Sequence, residues 1–129
     1  MENPKDLRYS KEHEWVRLEG DIGIIGVTYF AQKQLTDIVF VELPEKGKKA
    51  EQGKQIAVIE SVKSVSDVFS PVTGEVIEAN EKLKNNPEII NNNPYSEGWI
   101  AKIKVANKNE LNNLMTAEEY GKFVSESKH

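Results

Sequence analysis

The sequence contains no cysteine. That absence excludes a disulfide framework, a thiolate metal centre and a cysteine nucleophile, so any thiol chemistry must be imported on a cofactor. Histidine is almost as scarce. His13 and His129 stand at opposite ends of the chain and cannot form a local metal-binding motif, so no metal is expected. No apolar run approaches the roughly 20 residues of a membrane span. The opening Met-Glu-Asn-Pro-Lys lacks the apolar core of a signal peptide and the arginines of a transit sequence, so a cytoplasmic protein without membrane contact is expected. A basic excess is missing too. The 17 Lys and Arg are scattered among 21 Asp and Glu for a net charge of −4, which argues against nucleic acid as a partner.

What is present suits one folded domain over residues 1–129, with 38% hydrophobic and 29% charged residues. Glu14 to Leu18 and Ile22 to Val27 read as strands, joined by a hairpin turn at Glu19-Gly20-Asp21. Thr28 can cap a short helix in which Ala31 and Leu35 share a face. Ile38-Val39-Phe40-Val41, ended by Leu43-Pro44, predicts a buried strand. Gln55 to Glu60 and Val72 to Ala79 predict further strands, and the Asn/Pro-rich stretch from Asn85 to Pro94 predicts a loop with one helical turn. Trp99 to Val105 alternates as a half-buried strand. Two capping-box patterns, Asn107 with Glu110 and Thr116 with Glu119, then predict two short C-terminal helices. The fold class is a β-rich α+β domain. His13 reads as a partly buried strand residue, and Trp15 and Trp99 read as core.

The chemistry lies in Val58-Ile59-Glu60-Ser61-Val62-Lys63-Ser64-Val65-Ser66-Asp67-Val68. Apolar strands flank a small polar centre that suits a tight, exposed turn. A lysine at such a tip holds its amine clear of the sheet on a four-carbon stem, which is what acylation by another enzyme requires. Taken alone, Lys63 is one more solvated surface lysine. Ser61 and Lys63 are also spaced to share a strand face, so a Ser–Lys acyl-transfer dyad is a rival. Against it, no oxyanion motif or third orienting group accompanies the pair, and a wet lysine is a poor base at neutral pH.

A longer pattern changes the weighting. This stretch, with Ser70-Pro71-Val72-Thr73-Gly74-Glu75-Val76, resembles the lipoyl-lysine segment of the H protein family of the glycine cleavage system. Lys11-Glu12-His13-Glu14-Trp15-Val16 resembles that family's opening strand, Asp37 to Pro44 its central one, and Asn93 to Trp99 the loop before its last strand. The likeness runs in order over about residues 8–125. Tyr29 stands where the family commonly has aspartate, Thr36 where glycine is usual, and Ser64 where alanine is frequent. A Met-Lys-Met triplet, typical of related biotin carriers, is missing.

The resemblance implies a lipoyl/biotinyl-type barrel-sandwich hybrid of two antiparallel sheets with short helices, and covalent lipoate on Lys63. It implies a monomeric carrier, not an enzyme. A pyridoxal-phosphate glycine decarboxylase would load an aminomethyl group on the arm, an aminomethyltransferase would unload it, and a dihydrolipoyl dehydrogenase would reoxidise the dithiol. A lipoylating enzyme would read the turn, with Glu60 and Ser61 as candidate recognition residues; as a bland alternative these are ordinary turn residues. The resemblance points to Glu14 as the carboxylate that would hold the arm's cationic amine, the alternative being an exposed strand carboxylate; Asp67 is a weaker second candidate. A donor or relay of lipoyl groups for other 2-oxo-acid dehydrogenase complexes is the closest rival role.

Overall fold

The computed structural model describes residues 3–127; Met1, Glu2 and His129, which enter the leader and metal-motif expectations, lie outside the described residues. The chain runs β1 (Arg8–Tyr9), β2 (Glu14–Glu19), β3 (Ile22–Val27), α1 (Tyr29–Leu35), β4 (Ile38–Glu42), β5 (Lys49–Ala50), β6 (Gln55–Ser61), β7 (Val65–Phe69), β8 (Gly74–Ala79), α2 (Lys82–Asn85), α3 (Ile89–Asn92), β9 (Ala101–Val105), a 3-10 helix (Lys108–Asn113) and α4 (Ala117–Ser127). Strands in the order β1-β2-β3-β9-β8-β5 make one sheet, and β4-β6-β7 make the other. Every pairing is antiparallel. Both sheets contribute to one core: Val16, Ile25, Val76 and Ile103 from the larger meet Ile38, Val41, Ile59 and Val68 from the smaller. The expected two-sheet hybrid is the architecture found.

Local chemistry explains most of the elements. Gly20, at φ 63°, makes the β2–β3 turn. The Thr28 hydroxyl accepts from the Ala31 amide at 3.2 Å and starts α1. Thr116 and Glu119 form the expected reciprocal box, Glu119 N donating to Thr116 Oγ1 at 3.2 Å and Thr116 N to Glu119 Oε1 at 2.9 Å. The other box does not form. Glu110 turns away to accept from Thr73 N and Oγ1, both at 2.7 Å, and residues 108–113 wind as a 3-10 helix. The strand expected from Val72 begins at Gly74, and the Asn/Pro-rich loop holds two single helical turns, α2 and α3.

One correction bears directly on function. The Ile38–Val41 run is not buried throughout: Ile38 and Val41 face the core, while Val39 and Phe40 face solvent. Ile38 pairs with Ser61 and Phe40 with Glu60, so β4 spends two residues where β6 spends one. Val39 is therefore the extra residue of a β-bulge, which breaks the in–out alternation and turns two neighbours outward.

Thr36, just after α1, has φ 62° and ψ −144°. A β-branched residue is strained at positive φ, by about 1–3 kcal/mol, whereas glycine is not. Glycine's greater freedom when unfolded takes back about 0.5–1 kcal/mol. Thr36→Gly is expected to stabilise the protein by about 1 kcal/mol, read from the urea midpoint. A lower midpoint would instead show that the Thr36 Oγ1 bond to the Leu35 carbonyl, at 2.5 Å, outweighs the strain.

Candidate functional site

The β6–β7 hairpin presents Lys63 at its tip, exposed to solvent. Ser61 orders the turn. Its amide donates to the Ser64 carbonyl at 2.8 Å, and its hydroxyl accepts from the amides of Lys63 at 3.2 Å and Ser64 at 3.1 Å. The hydroxyl also lies 3.3 Å from the Ser64 carbonyl. Ser61 Oγ is thus engaged by the turn backbone, which favours the turn-forming reading over a nucleophile paired with the lysine amine. The Val62 amide donates to the Asp37 carbonyl at 2.9 Å and ties the tip to the start of β4. Glu60 is half-buried and lies in register between Phe40 and Val65.

Glu14 is not an exposed strand carboxylate. It is 2% exposed at the start of β2. Alternation along β2 puts it on the face of Val16, which is buried against the core. One carboxylate oxygen accepts from the Phe69 amide at 3.0 Å, and the other accepts from the Ser10 hydroxyl. Ser10 Oγ in turn accepts from the Glu14 amide at 3.0 Å, fixing the side chain from its own backbone. Burial pushes the Glu14 carboxyl up to about 7, against the downward pull of the Ser10 and Phe69 hydrogen bonds. It borders a cavity of about 240 Å³ whose walls include Tyr9, Ser10, Gln52, Phe69 and Met115.

The structure therefore divides the expected site residues into two groups. Lys63, Ser61 and Glu60 are at the hairpin tip, and Glu14 lies at the far end of β7, where Phe69 closes the strand. Asp67 lies between them on β7, exposed, accepting from Gln55 Nε2 at 3.1 Å. Sequence reading missed Ser10 and the Phe69 amide. Ser10, four residues before Glu14, carried a weak signal, because a serine can bond locally in this way; a backbone amide brought in from another sheet carried none.

His13 sits in the turn before β2, not in a strand, with φ 71°. Its Nδ1 is 2.8 Å from the Tyr120 hydroxyl, which is 2.7 Å from Thr28 Oγ1, so the chain of polar groups clamps α4 to the start of α1. Trp15 is core, its indole nitrogen donating to the carbonyls of Val27 at 3.0 Å and Pro94 at 2.9 Å. Trp99 is only half-buried, with Lys102 Nζ 5.0 Å from its ring centroid. Among the described residues no group of three or more His, Cys, Asp or Glu could hold a metal ion, and no helix is long and apolar enough to cross a membrane.

A family model for the glycine cleavage H-protein matches residues 7–127. The chain belongs to the glycine cleavage H-protein family. It is 56% identical to a glycine cleavage system H protein of Symbiobacterium thermophilum, over 95% of this chain and 96% of the relative. A glycine cleavage system H protein of Coprothermobacter proteolyticus is 57% identical over 93% of this chain and 95% of its own length. The crystal structure of a glycine cleavage system H protein from Mycobacterium marinum superposes with a TM-score of 0.86 at 32% identity, covering 95% of this chain and 99% of that one. The nearly complete H-protein coverage extends the likeness to both sheets and α4.

Proposed function

We propose that this H-protein family member is the lipoyl-bearing shuttle of the glycine cleavage system, with Lys63 as the attachment residue. The observation that carries the reading is a solvent-exposed lysine on a hairpin tip whose backbone is held by Ser61. An acylating enzyme can reach that amine without disturbing the core, so the residues present fit the group. When attached, a lipoyl group supplies a disulfide that opens to a dithiol and can carry a one-carbon amine and a pair of electrons. Lys63 tethers it, which keeps its end at high effective concentration near a docked partner. The partners are the pyridoxal-phosphate glycine decarboxylase, the aminomethyltransferase, the dihydrolipoyl dehydrogenase and the lipoylating enzyme, and this chain is their common substrate and not itself a catalyst.

Glu14 supplies the second half of the reading. Its buried carboxyl offers a charge partner to a cationic amine brought into the neighbouring cavity, with Ser10 and the Phe69 amide holding the two oxygens in place. The cavity walls shield such an amine from water. Asp67, exposed on β7, is the weaker partner.

The test is intact mass after incubation with lipoate, ATP and a lipoate ligase. One lipoyl group is expected on the native chain and none on Lys63→Arg. A full mass gain on Lys63→Arg would move the attachment to another lysine and overturn the assignment.

A further inference from the structure

Asn80, just after β8, is 4% exposed, yet one of its polar atoms is unused. Its side-chain nitrogen donates to the carbonyls of Glu97 at 2.9 Å and Trp99 at 2.8 Å, which fixes the end of the amide that carries the hydrogens. Its backbone is engaged as well, the amide donating to the Ile100 carbonyl at 3.0 Å and the carbonyl accepting from the Leu83 amide at 3.1 Å. Oδ1 alone accepts from nothing among the described residues. No fully buried side-chain polar atom of the described residues lacks a partner, so Oδ1 is not sealed in. It opens on a cleft of about 390 Å³ that Asn80 lines. Stapling the loop before β9 to the end of β8 accounts for the nitrogen. The oxygen is left as an immobile acceptor that a ligand N–H would satisfy.

The other walls suit a cation. Glu78, Glu81 and Glu97 border the cleft against a single ammonium, that of Lys82. Glu78 pairs with Lys102 at 3.6 Å and Glu81 with Lys84 at 2.7 Å, both lysines standing outside the walls. Glu97 has no ion pair among the described residues. Half-buried Trp99 is a further wall, and Lys102 Nζ already uses its ring as a platform at 5.0 Å from the centroid. A fixed carbonyl, an unpaired carboxylate and an indole together call for a flat, positive group with several N–H donors. A guanidinium has that shape, is weakly hydrated and stacks on an indole, whereas an ammonium is a strongly hydrated point charge.

We infer that the cleft between the end of β8, the start of α2 and Trp99 is a site for a guanidinium group, brought as an arginine side chain by a partner protein. Glu97 meets the charge, Asn80 Oδ1 accepts an N–H, and Trp99 supports the plane. The three glutamates are exposed, so a side chain reaching in from a facing surface finds them without rearrangement. No wall residue belongs to the β6–β7 hairpin, so this site goes beyond the carrier reading and stands or falls separately from Lys63.

The test is a proton–nitrogen NMR titration of the native chain at constant ionic strength, followed at the Trp99 indole and Asn80 side-chain amide signals. The probes are N-acetyl-arginine-N-methylamide, the matching lysine derivative and methylguanidinium. Saturable shifts of both signals are expected with the arginine derivative, at an affinity about fivefold or more above that of the lysine derivative. Methylguanidinium is expected to bind more weakly, because it lacks the methylene stem that lies along an apolar wall. Asn80 bonds only the backbone carbonyls of Glu97 and Trp99, so Glu97→Gln and Trp99→Leu leave its staple in place, which unfolding midpoints verify. Each is expected to weaken the arginine derivative about threefold or more, with Trp99→Leu followed at Asn80 alone. Lys82→Ala removes the one repelling wall charge and is expected to tighten binding. Equal affinity for the lysine derivative, unchanged affinity in Glu97→Gln, or shifts spread over glutamates elsewhere without saturation at Trp99 would overturn the site. Equal affinity for methylguanidinium would overturn the partner protein as the source and assign the cleft to a small guanidino compound.

Discussion

Replacing Glu14 by glutamine is expected to stabilise the protein by about 3 kcal/mol at pH 8 and by almost nothing at pH 4. Burial carries the carboxyl from an ordinary 4.5 up to about 7, so the folded chain favours the protonated form. The stability gained from holding that proton is fully present below 4.5. It is lost as pH rises through about 7, above which the folded chain must keep a buried charge. Glutamine never ionises. Its carbonyl can still accept from the Phe69 amide, and its amide can donate to Ser10 Oγ, so the local geometry is preserved. His13 titrates nearby in the opposite sense, because burial lowers it and protonation below about 6.5 works against the fold. That contribution is common to both proteins and cancels in the difference. Urea midpoints at pH 4, 6 and 8 measure the effect, and a difference that does not vary with pH would show that Glu14 titrates as an ordinary surface carboxylate. Physically, the native chain tolerates an unfavourable charge at neutral pH, and a cation entering the cavity would relieve it. Glutamine would give up that attraction in exchange for stability.

Gly74→Ala is expected to destabilise by about 4 kcal/mol or more, lowering the melting temperature by roughly 15 °C. Gly74 opens β8, pairing with Val105 on one side and Ala50 on the other. A Cβ there would lie 2.0 Å from the Lys104 carbonyl oxygen and 2.8 Å from Ile103 Cγ2. Backbone of a central strand pair cannot step aside as a flexible side chain can, so β8 and β9 would have to separate. Gly121, inside α4, is the contrast. Among the described residues only Asn3 Nδ2, at 3.7 Å, would approach its Cβ. Gly121→Ala is expected to raise stability by about 0.5–1 kcal/mol through helix propensity alone. Similar losses for the two variants in a thermal melt would sink the steric argument.

Sequence reading reached furthest where the deciding physics is local. The strand over Ile22–Val27, the glycine turn at Gly20 and the Thr116–Glu119 box each depend on residues within a few positions, and each formed as expected. The two-residue strands β1 and β5 are too short for any periodicity to register. Glu110 satisfies the local capping pattern but meets Thr73 across 37 positions, and that partner prevails. The outward turn of Val39 and Phe40 depends on a register shift against β6, which no property of the four apolar residues reveals. The exposed position of Lys63 between β6 and β7 was legible because a turn between apolar strands is a local pattern. The burial of Glu14 was half-legible, since it alternates with Val16, whereas the cavity beside it is assembled from β1, β7 and the segment before α4.

The extra residue in β4 has a further consequence for a protein that carries greasy side chains on an edge strand. A flat, regular edge is a template on which another chain can lay down a strand. Here the ladder is interrupted at Val39, and the Ile38 amide is already taken by Asn91 Oδ1 at 3.0 Å. The kink that turns Val39 and Phe40 outward thereby denies another chain a straight rail for growth, so apolar side chains stand exposed on this edge without the backbone seeding fibrils.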